Sequence, residues 1–244
     1  MSLLEARHIS KRFGGLKAIN DVSFSVRPGQ VTFIVGPNGA GKTTLFNLIT
    51  SVFHVDSGNI HFGGEDITHL TPDRAAKLGI GRTFQIVKPL RNLTVLENVM
   101  LGAFLRTSSP GKAEQEATKV LKFLQMERVM HIPARGMGLP MLKRLEIARA
   151  LATQPKLILL DEVVAGLPTS EAIKLAMLLK RLPEWGISTI GGIEHVMQVV
   201  MRVADRVIVL DHGTLIAEGP PQDVVHRPEV IEAYLGPKYK EIAL

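Results

Sequence analysis

The chain has 244 residues, 45% of them apolar, no cysteine and a formal net charge of +6. That length and apolar content suffice for one large domain or two small ones, and a globular α/β protein is the default expectation. Without cysteine, a disulfide framework and a thiolate metal site are both excluded. His54, His61 and His69 lie scattered among turn residues rather than at ligand spacings, which argues against a metal centre built on them. Lysines and arginines are dispersed among acids, so the positive excess reads as a solvated surface rather than a nucleic-acid face, with proximity to a membrane as the other reading. The start "MSLLEARHIS" lacks a cationic segment followed by an apolar one, and the longest uncharged apolar run, Thr43 to Val55, is too short to span a bilayer. A soluble, cytosolic chain is expected.

In chain order, "VSFSV", "RPGQ" and "VTFIVG" read as two strands joined by a Pro-Gly turn, in a sheet with one buried face. The second strand, Val31 to Val35, feeds a glycine-rich loop and a helix predicted from Lys42 to Thr50. "SGNIHFGGEDI" reads as a small hairpin. In "TPDRAAKLG", Thr71 can cap a helix that has Pro72 at its first position and Gly79 beyond its end. From Leu93 to Met130 the pattern is helical, with Val120, Leu121 and Leu124 on one core-facing stripe, and "TSSPGK" is the best candidate for a flexible loop. "KLILLDE" has the unbroken apolar run of a strand buried on both faces. "ADRVIVLDHGTLIAEG" closes the series as a hairpin around Asp211 to Gly213.

The chemistry lies in Gly36, Pro37, Asn38, Gly39, Ala40, Gly41, Lys42 and Thr43, followed by Thr44: "GPNGAGKT" fits G-x-x-x-x-G-K-[ST]. In such a loop the backbone N–H groups wrap a phosphate chain, and side chains in place of the glycines would hold the backbone away from the oxygens. The helix after the loop adds its positive dipole end. Lys42 is expected to meet the β and γ phosphates and Thr43 to ligate Mg²⁺. "LILLDE" supplies a second half: Asp161, at the end of a buried strand, can hold the Mg²⁺ shell, and Glu162 can polarise the attacking water.

Taken together, these residues resemble the nucleotide-binding subunit of an ATP-binding cassette (ABC) transporter over nearly the whole chain. Gln85 in "GRTFQ" looks like the family's glutamine between its two subdomains, and His195 in "GIEH" like its switch histidine. The resemblance makes both part of the catalytic set with Lys42 and Glu162, and places Gln85 with Thr43 and Asp161 around the metal. Phe13 stands where the family places an aromatic that stacks on adenine; a strand aromatic packed in a core is the rival reading. The implied fold is α/β: a P-loop NTPase (RecA-like) core with an antiparallel β subdomain, Met1 to Phe84 and Pro155 to Leu244, and an inserted α-helical subdomain, Gln85 to Gln154. The implied cofactors are ATP and Mg²⁺. The implied partners are a second ABC ATPase subunit paired head to tail, transmembrane permease subunits docked near Gln85 and, indirectly, a solute-binding protein outside the cell, but no nucleic acid. The implied location is the cytoplasmic face of the membrane.

The family's signature, leucine-serine-glycine-glycine-glutamine, opens a helix that approaches the other subunit's γ-phosphate. Aligning "RLEIARAL" without gaps puts Met137, Gly138, Leu139, Pro140 and Met141 there, and none matches; a placement from Leu139 needs two residues deleted. Glycine is a tolerable cap and proline suits a first turn, so the helix is expected to form with fewer donors for phosphate. Pro168 replaces the aspartate of the next loop, Val163 replaces the proline after the glutamate, and Gly191 and Gly192 interrupt an expected buried strand. These departures imply a heterodimer in which another subunit supplies an intact signature. "DITHLTPDRAAKLGIGRTFQIVKPLRNLTVLENVMLGA" and "AEGPPQDVVHRPEVIEAYLG" look like the ATPases of branched-chain and hydrophobic amino-acid importers. Urea and lipopolysaccharide transporter ATPases, a cytosolic ABC ATPase acting on DNA or ribosomes, and a regulatory module with weak turnover are the alternatives.

Overall fold

The computed structural model describes residues 1–84, 88–192 and 197–235. The first half runs β1 (Leu4–Phe13), β2 (Leu16–Val26), β3 (Val31–Val35), α1 (Lys42–Ile49), β4 (Ser57–Phe62), β5 (Glu65–Asp66), α2 (Pro72–Leu78) and β6 (Ile80–Arg82). Helices α3 (Val95–Ala103), α4 (Pro110–Phe123) and α5 (Leu139–Leu151) come next, then β7 (Leu157–Asp161), α6 (Thr169–Leu179), β8 (Ser188–Gly192) and α7 (Met197–Val203). The chain continues through β9 (Arg206–Asp211), β10 (Thr214–Gly219), α8 (Pro221–Val224) and α9 (Pro228–Leu235).

Two sheets result. An antiparallel sheet has the order β2-β1-β4-β5, and a six-stranded sheet has the order β10-β9-β3-β8-β7-β6, parallel except for the β9-β10 hairpin. Strand alternation divides the large sheet's side chains between two cores. Val31, Phe33, Val35, Ile158, Leu160, Val207 and Val209 point into one core, built with α3 to α6. Ile34, Leu157, Leu159, Ile190, Ile208 and Leu210 point into the other, with α1 and the antiparallel sheet. A strand covered on both sides has no polar face to show, which is why "LILL" is apolar up to the terminal Asp161.

Several elements match the sequence reading. Val120, Leu121 and Leu124 are fully buried, and the hairpins at β4-β5 and β9-β10 form. Four expectations are corrected. "VSFSV" and "VTFIV" are consecutive strands in different sheets, so the Pro-Gly turn passes the chain between layers rather than closing a hairpin. "TSSPGK" is a helix start: Ser109 caps α4 through the Lys112 N–H, and Pro110 opens its first turn. Thr71 is the N-cap residue of α2, with Pro72 in the first turn and Gly79 at the C-cap as read, but its hydroxyl donates to Asp73 (2.6 Å) instead of capping the backbone. Gly191 and Gly192 leave β8 unbroken and buried along its length. Among the described residues no helix is long and apolar enough to cross a membrane.

Candidate nucleotide site

The β3-α1 connection is built by glycine geometry. Gly36 and Gly41 have φ of 153° and 101°, which L side chains rarely adopt. A Cβ on Gly36 would collide with the Leu210 carbonyl, and one on Gly41 would meet the Ala18 carbonyl at 2.5 Å. The loop is therefore pinched between the β9-β10 hairpin and β2, and its intervening backbone is left to face outward. Ala40 is buried and anchors the turn, whereas Asn38, Gly39 and Thr43 are exposed. Lys42 is buried, and its Nζ donates to the carbonyls of Gly36 (2.7 Å) and Pro37 (2.8 Å), folding the ammonium over the loop from which it springs.

A cavity of about 380 Å³ opens over this loop, lined by Gly39, Lys42, Thr43, Thr44, Phe13 and His212. Phe13 is 42% exposed and sets its ring edge against Phe53, with centroids 5.2 Å apart, so it is a surface aromatic at the cavity rim and not a core side chain. A second cleft, about 530 Å³, brings Thr43 together with Asp161, Arg82 and Glu146. A glycine cradle with a lysine and two hydroxyl side chains fits a phosphate chain. Thr43 and Asp161, both hard oxygen donors at one cleft, fit a magnesium ion.

Asp161 ends β7 with its N–H held by the Thr83 hydroxyl (3.0 Å). Its carboxylate accepts from Arg82 (2.9 Å); Asp161 is buried and the Arg82 side chain is mostly covered. Arg82 also donates to Asn47 on α1, and its guanidinium lies 5.9 and 5.4 Å from the ring centroids of Phe46 and Phe84. Glu162 comes next, in the left-handed region with φ 49°, a setting that costs about 1–3 kcal/mol for a residue other than glycine. Its N–H donates to the Gly192 carbonyl (3.0 Å). Gln85 and His195 lie outside the described residues.

The opening of α5 matches the sequence reading in form. Gly138 is its extended N-cap, without a side-chain bond, and Pro140 occupies the first turn. The Met141 N–H donates back to the Gly138 carbonyl (3.1 Å). With Pro140 lacking an N–H, that turn keeps few donors for an outside ligand. Leu139 is 43% exposed.

Three charged residues beside this site were not singled out from the sequence. Arg82 pairs with Asp161; Lys143 donates to the Glu162 carbonyl (3.0 Å); Glu146 accepts from the Phe84 N–H (2.8 Å). Burial raises the pKa of Glu146, opposed by that N–H and by Arg149 and Lys143. The available signal was charge inside otherwise apolar elements, in "IGR" and "LKRLEIARAL".

The family model described as "ABC transporter" matches residues 19–165, and one described as "Branched-chain amino acid ATP-binding cassette transporter" matches residues 214–236. A probable branched-chain amino acid transport ATP-binding protein, LivG, from Archaeoglobus fulgidus is 36% identical, covering 99% of this chain and 98% of the relative. The high-affinity branched-chain amino acid transport ATP-binding protein BraF of Pseudomonas aeruginosa is 34% identical over 96% and 98% of the two chains. The ADP conformation of an ATP-binding cassette of an ABC transporter superposes with a TM-score of 0.88, at 35% identity and 97% and 99% coverage. A dimeric ATP-binding cassette in a post-hydrolysis state, bound to ADP and Pi, gives a TM-score of 0.80 at 26% identity, over 89% and 98%. A full-length match to such cassettes, on a chain whose Thr43, closing the glycine loop, shares one cleft with the acidic strand end at Asp161, establishes that this protein belongs to the ABC transporter family of ATP-binding cassettes.

Proposed function

We propose that this chain is the ATP-binding and ATP-hydrolysing subunit of a membrane importer for branched-chain or other hydrophobic amino acids. The observation that carries it is the meeting of Thr43, which closes the Gly36–Thr43 loop, with Asp161 at a single cleft, beside the cavity over the loop that Thr43 also lines. Lys42 neutralises the β and γ phosphates, Thr43 and Asp161 hold magnesium, and Phe13 offers its exposed ring to the base. A magnesium ion there supplies positive charge to the phosphoryl oxygens. Glu162 polarises the attacking water, and Gln85 and His195 complete the set by their places in the sequence. The names of the relatives support the solute class.

The pairing proposed is head to tail with a second cassette, so that each nucleotide lies between one loop and the other subunit's α5 terminus; the dimeric relative supports it. The poor donor set at Gly138 and Pro140 favours a different subunit as the partner. The nucleotide core (1–84 and 155–244) and the helical insert (85–154) meet at a cavity of about 370 Å³, lined by Arg82, Phe84, Leu101, Glu146 and Arg149. Phe84 and Leu101 are exposed there, an apolar floor with charged walls that suits a docked permease segment and a peripheral location on the membrane.

The test is ATP turnover of the full chain, alone and with the cassette and permease that co-purify with it from membranes, beside Glu162→Gln. Stimulation by those partners and loss of turnover in Glu162→Gln are expected. An equal rate in Glu162→Gln, or a chain that binds ATP and never turns it over in any assembly, contradicts the reading; the latter is the behaviour of a regulatory module.

A further inference from the structure

The peptide of Glu162 is held from three sides. Its N–H is fixed by Gly192 of β8 (3.0 Å), and its carbonyl accepts from the Ala165 N–H (3.1 Å) and from the ammonium of Lys143 (3.0 Å). Val163 and Val164 next to it are buried. The first two bonds lie within the sheet layer and its own turn. The third comes from α5, a separate element, and spans 19 residues of sequence. Lys143 is only 6% exposed. Burial lowers its pKa, and the charges of Glu146, Glu162 and Asp161 offset that only in part. Taking a lysine out of water to reach one peptide oxygen is unfavourable unless that contact does something for the fold or the site.

What it holds is a strained residue. Glu162 has φ 49°, and non-glycine residues keep such angles only where the surroundings impose them. The surroundings that impose it are the buried Val163 and Val164 and the three hydrogen bonds, and the bond from α5 ties the residue to a different layer of the fold. Five residues before Lys143, the same helix begins at Gly138. A rigid helix carries a displacement at its first turn to Lys143, about one and a half turns away.

We infer that Lys143 is a positioning residue for hydrolysis, which holds the Glu162 peptide in its left-handed setting and makes that setting depend on the placement of α5. This rests on the reading of Glu162 as the group that polarises water. On that reading, contact between the partner's nucleotide and the α5 terminus of this chain reaches this chain's own carboxylate through one lysine.

The experiment compares Lys143→Met, which keeps length and removes the donor, with Lys143→Arg, which keeps a donor. In the nucleotide-free full chain, amide hydrogen exchange over residues 162–167 should accelerate in Lys143→Met, because the Ala165 N–H bonds the same carbonyl, and stay near wild type in Lys143→Arg. In the turnover preparation used for Glu162→Gln, Lys143→Met should lose kcat by about ten- to hundredfold, with the ATP dissociation constant unchanged within about twofold. Lys143→Arg should recover most of the rate. Unchanged exchange in Lys143→Met, or nucleotide affinity and kcat falling in parallel in both variants, overturns the inference. If Glu162→Gln itself turns over normally, the assignment of Glu162 fails first; if it does not and Lys143→Met has wild-type kcat, only the role of Lys143 fails.

Discussion

Phe33 on β3 stands opposite Gly191 on β8 in the parallel register, and its ring occupies the space that a side chain at 191 would need: a Cβ there would lie 2.5 Å from the ring. The glycine that looked like a strand breaker is instead one half of a large-and-small pair across two buried strands. Interior volume is conserved, and the sheet stays closed. Gly191→Ala should destabilise the chain by about 1–3 kcal/mol through overpacking. Combined with Phe33→Leu, the loss should be smaller than the sum of the two single losses, because residues in contact are not additive. Denaturant midpoints of the four proteins check this; strict additivity would show that the pair does not share the space.

Arg82 and Asp161 form the second relationship, a mostly covered ion pair that also ties α1 through Asn47. Arg82→Ala leaves the carboxylate buried without its cation, and such a loss costs about 3–5 kcal/mol. Magnesium nucleotide then takes over part of the missing charge. The rise in melting temperature on adding magnesium and ATP should be larger in Arg82→Ala than in wild type, and an equal rise would separate Asp161 from the metal.

Glu146 contributes a pH dependence of its own. Burial raises its carboxyl above the ordinary value of 4.5, and one of its oxygens lacks a hydrogen-bond partner among the described residues. A raised carboxyl favours the neutral form in the folded chain, so its contribution to stability is complete below that ordinary value and is lost as pH rises through the folded one. Glu146→Gln keeps an acceptor for the Phe84 N–H and removes the charge. Its melting temperature should match wild type at about pH 4 and exceed it at about pH 8, provided the fold survives at both. A difference independent of pH would assign the effect to packing.

The α5 terminus admits repair. Gly138 is in an extended conformation, φ −69°, that serine adopts readily, and a Cβ there would meet nothing nearer than Pro140 Cδ at 3.8 Å. Gly138→Ser with Pro140→Gly restores a hydroxyl and a backbone donor, each worth about 1–3 kcal/mol toward a charged ligand. ATP turnover of the chain alone should rise by up to roughly a hundredfold. No gain would mean that the native terminus is not what limits a homodimer.

The features legible in the sequence are those set by local physics. The glycine loop, the acid pair ending "LILLDE" and the strand-loop-helix order need only nearest-neighbour geometry, and the fold carries them as read. Phe33 against Gly191, Arg82 against Asp161 and Lys143 against Glu162 are joined across 158, 79 and 19 residues, and only the register of the sheet and the seat of α5 bring them together. Ser109 and Pro110 were misjudged for another reason: the residues that make a loop also make a helix start, and the apolar spacing of the next few turns decides between them.

The most direct measurement is retention of labelled ATP by Lys42→Ala beside wild type, with melting curves to verify folding. The Lys42 ammonium, which donates to Gly36 and Pro37, is set over the glycine loop, and its removal should weaken retention by about ten- to hundredfold or more and abolish cleavage. Equal retention and equal cleavage by a folded Lys42→Ala chain would contradict a nucleotide site at this loop.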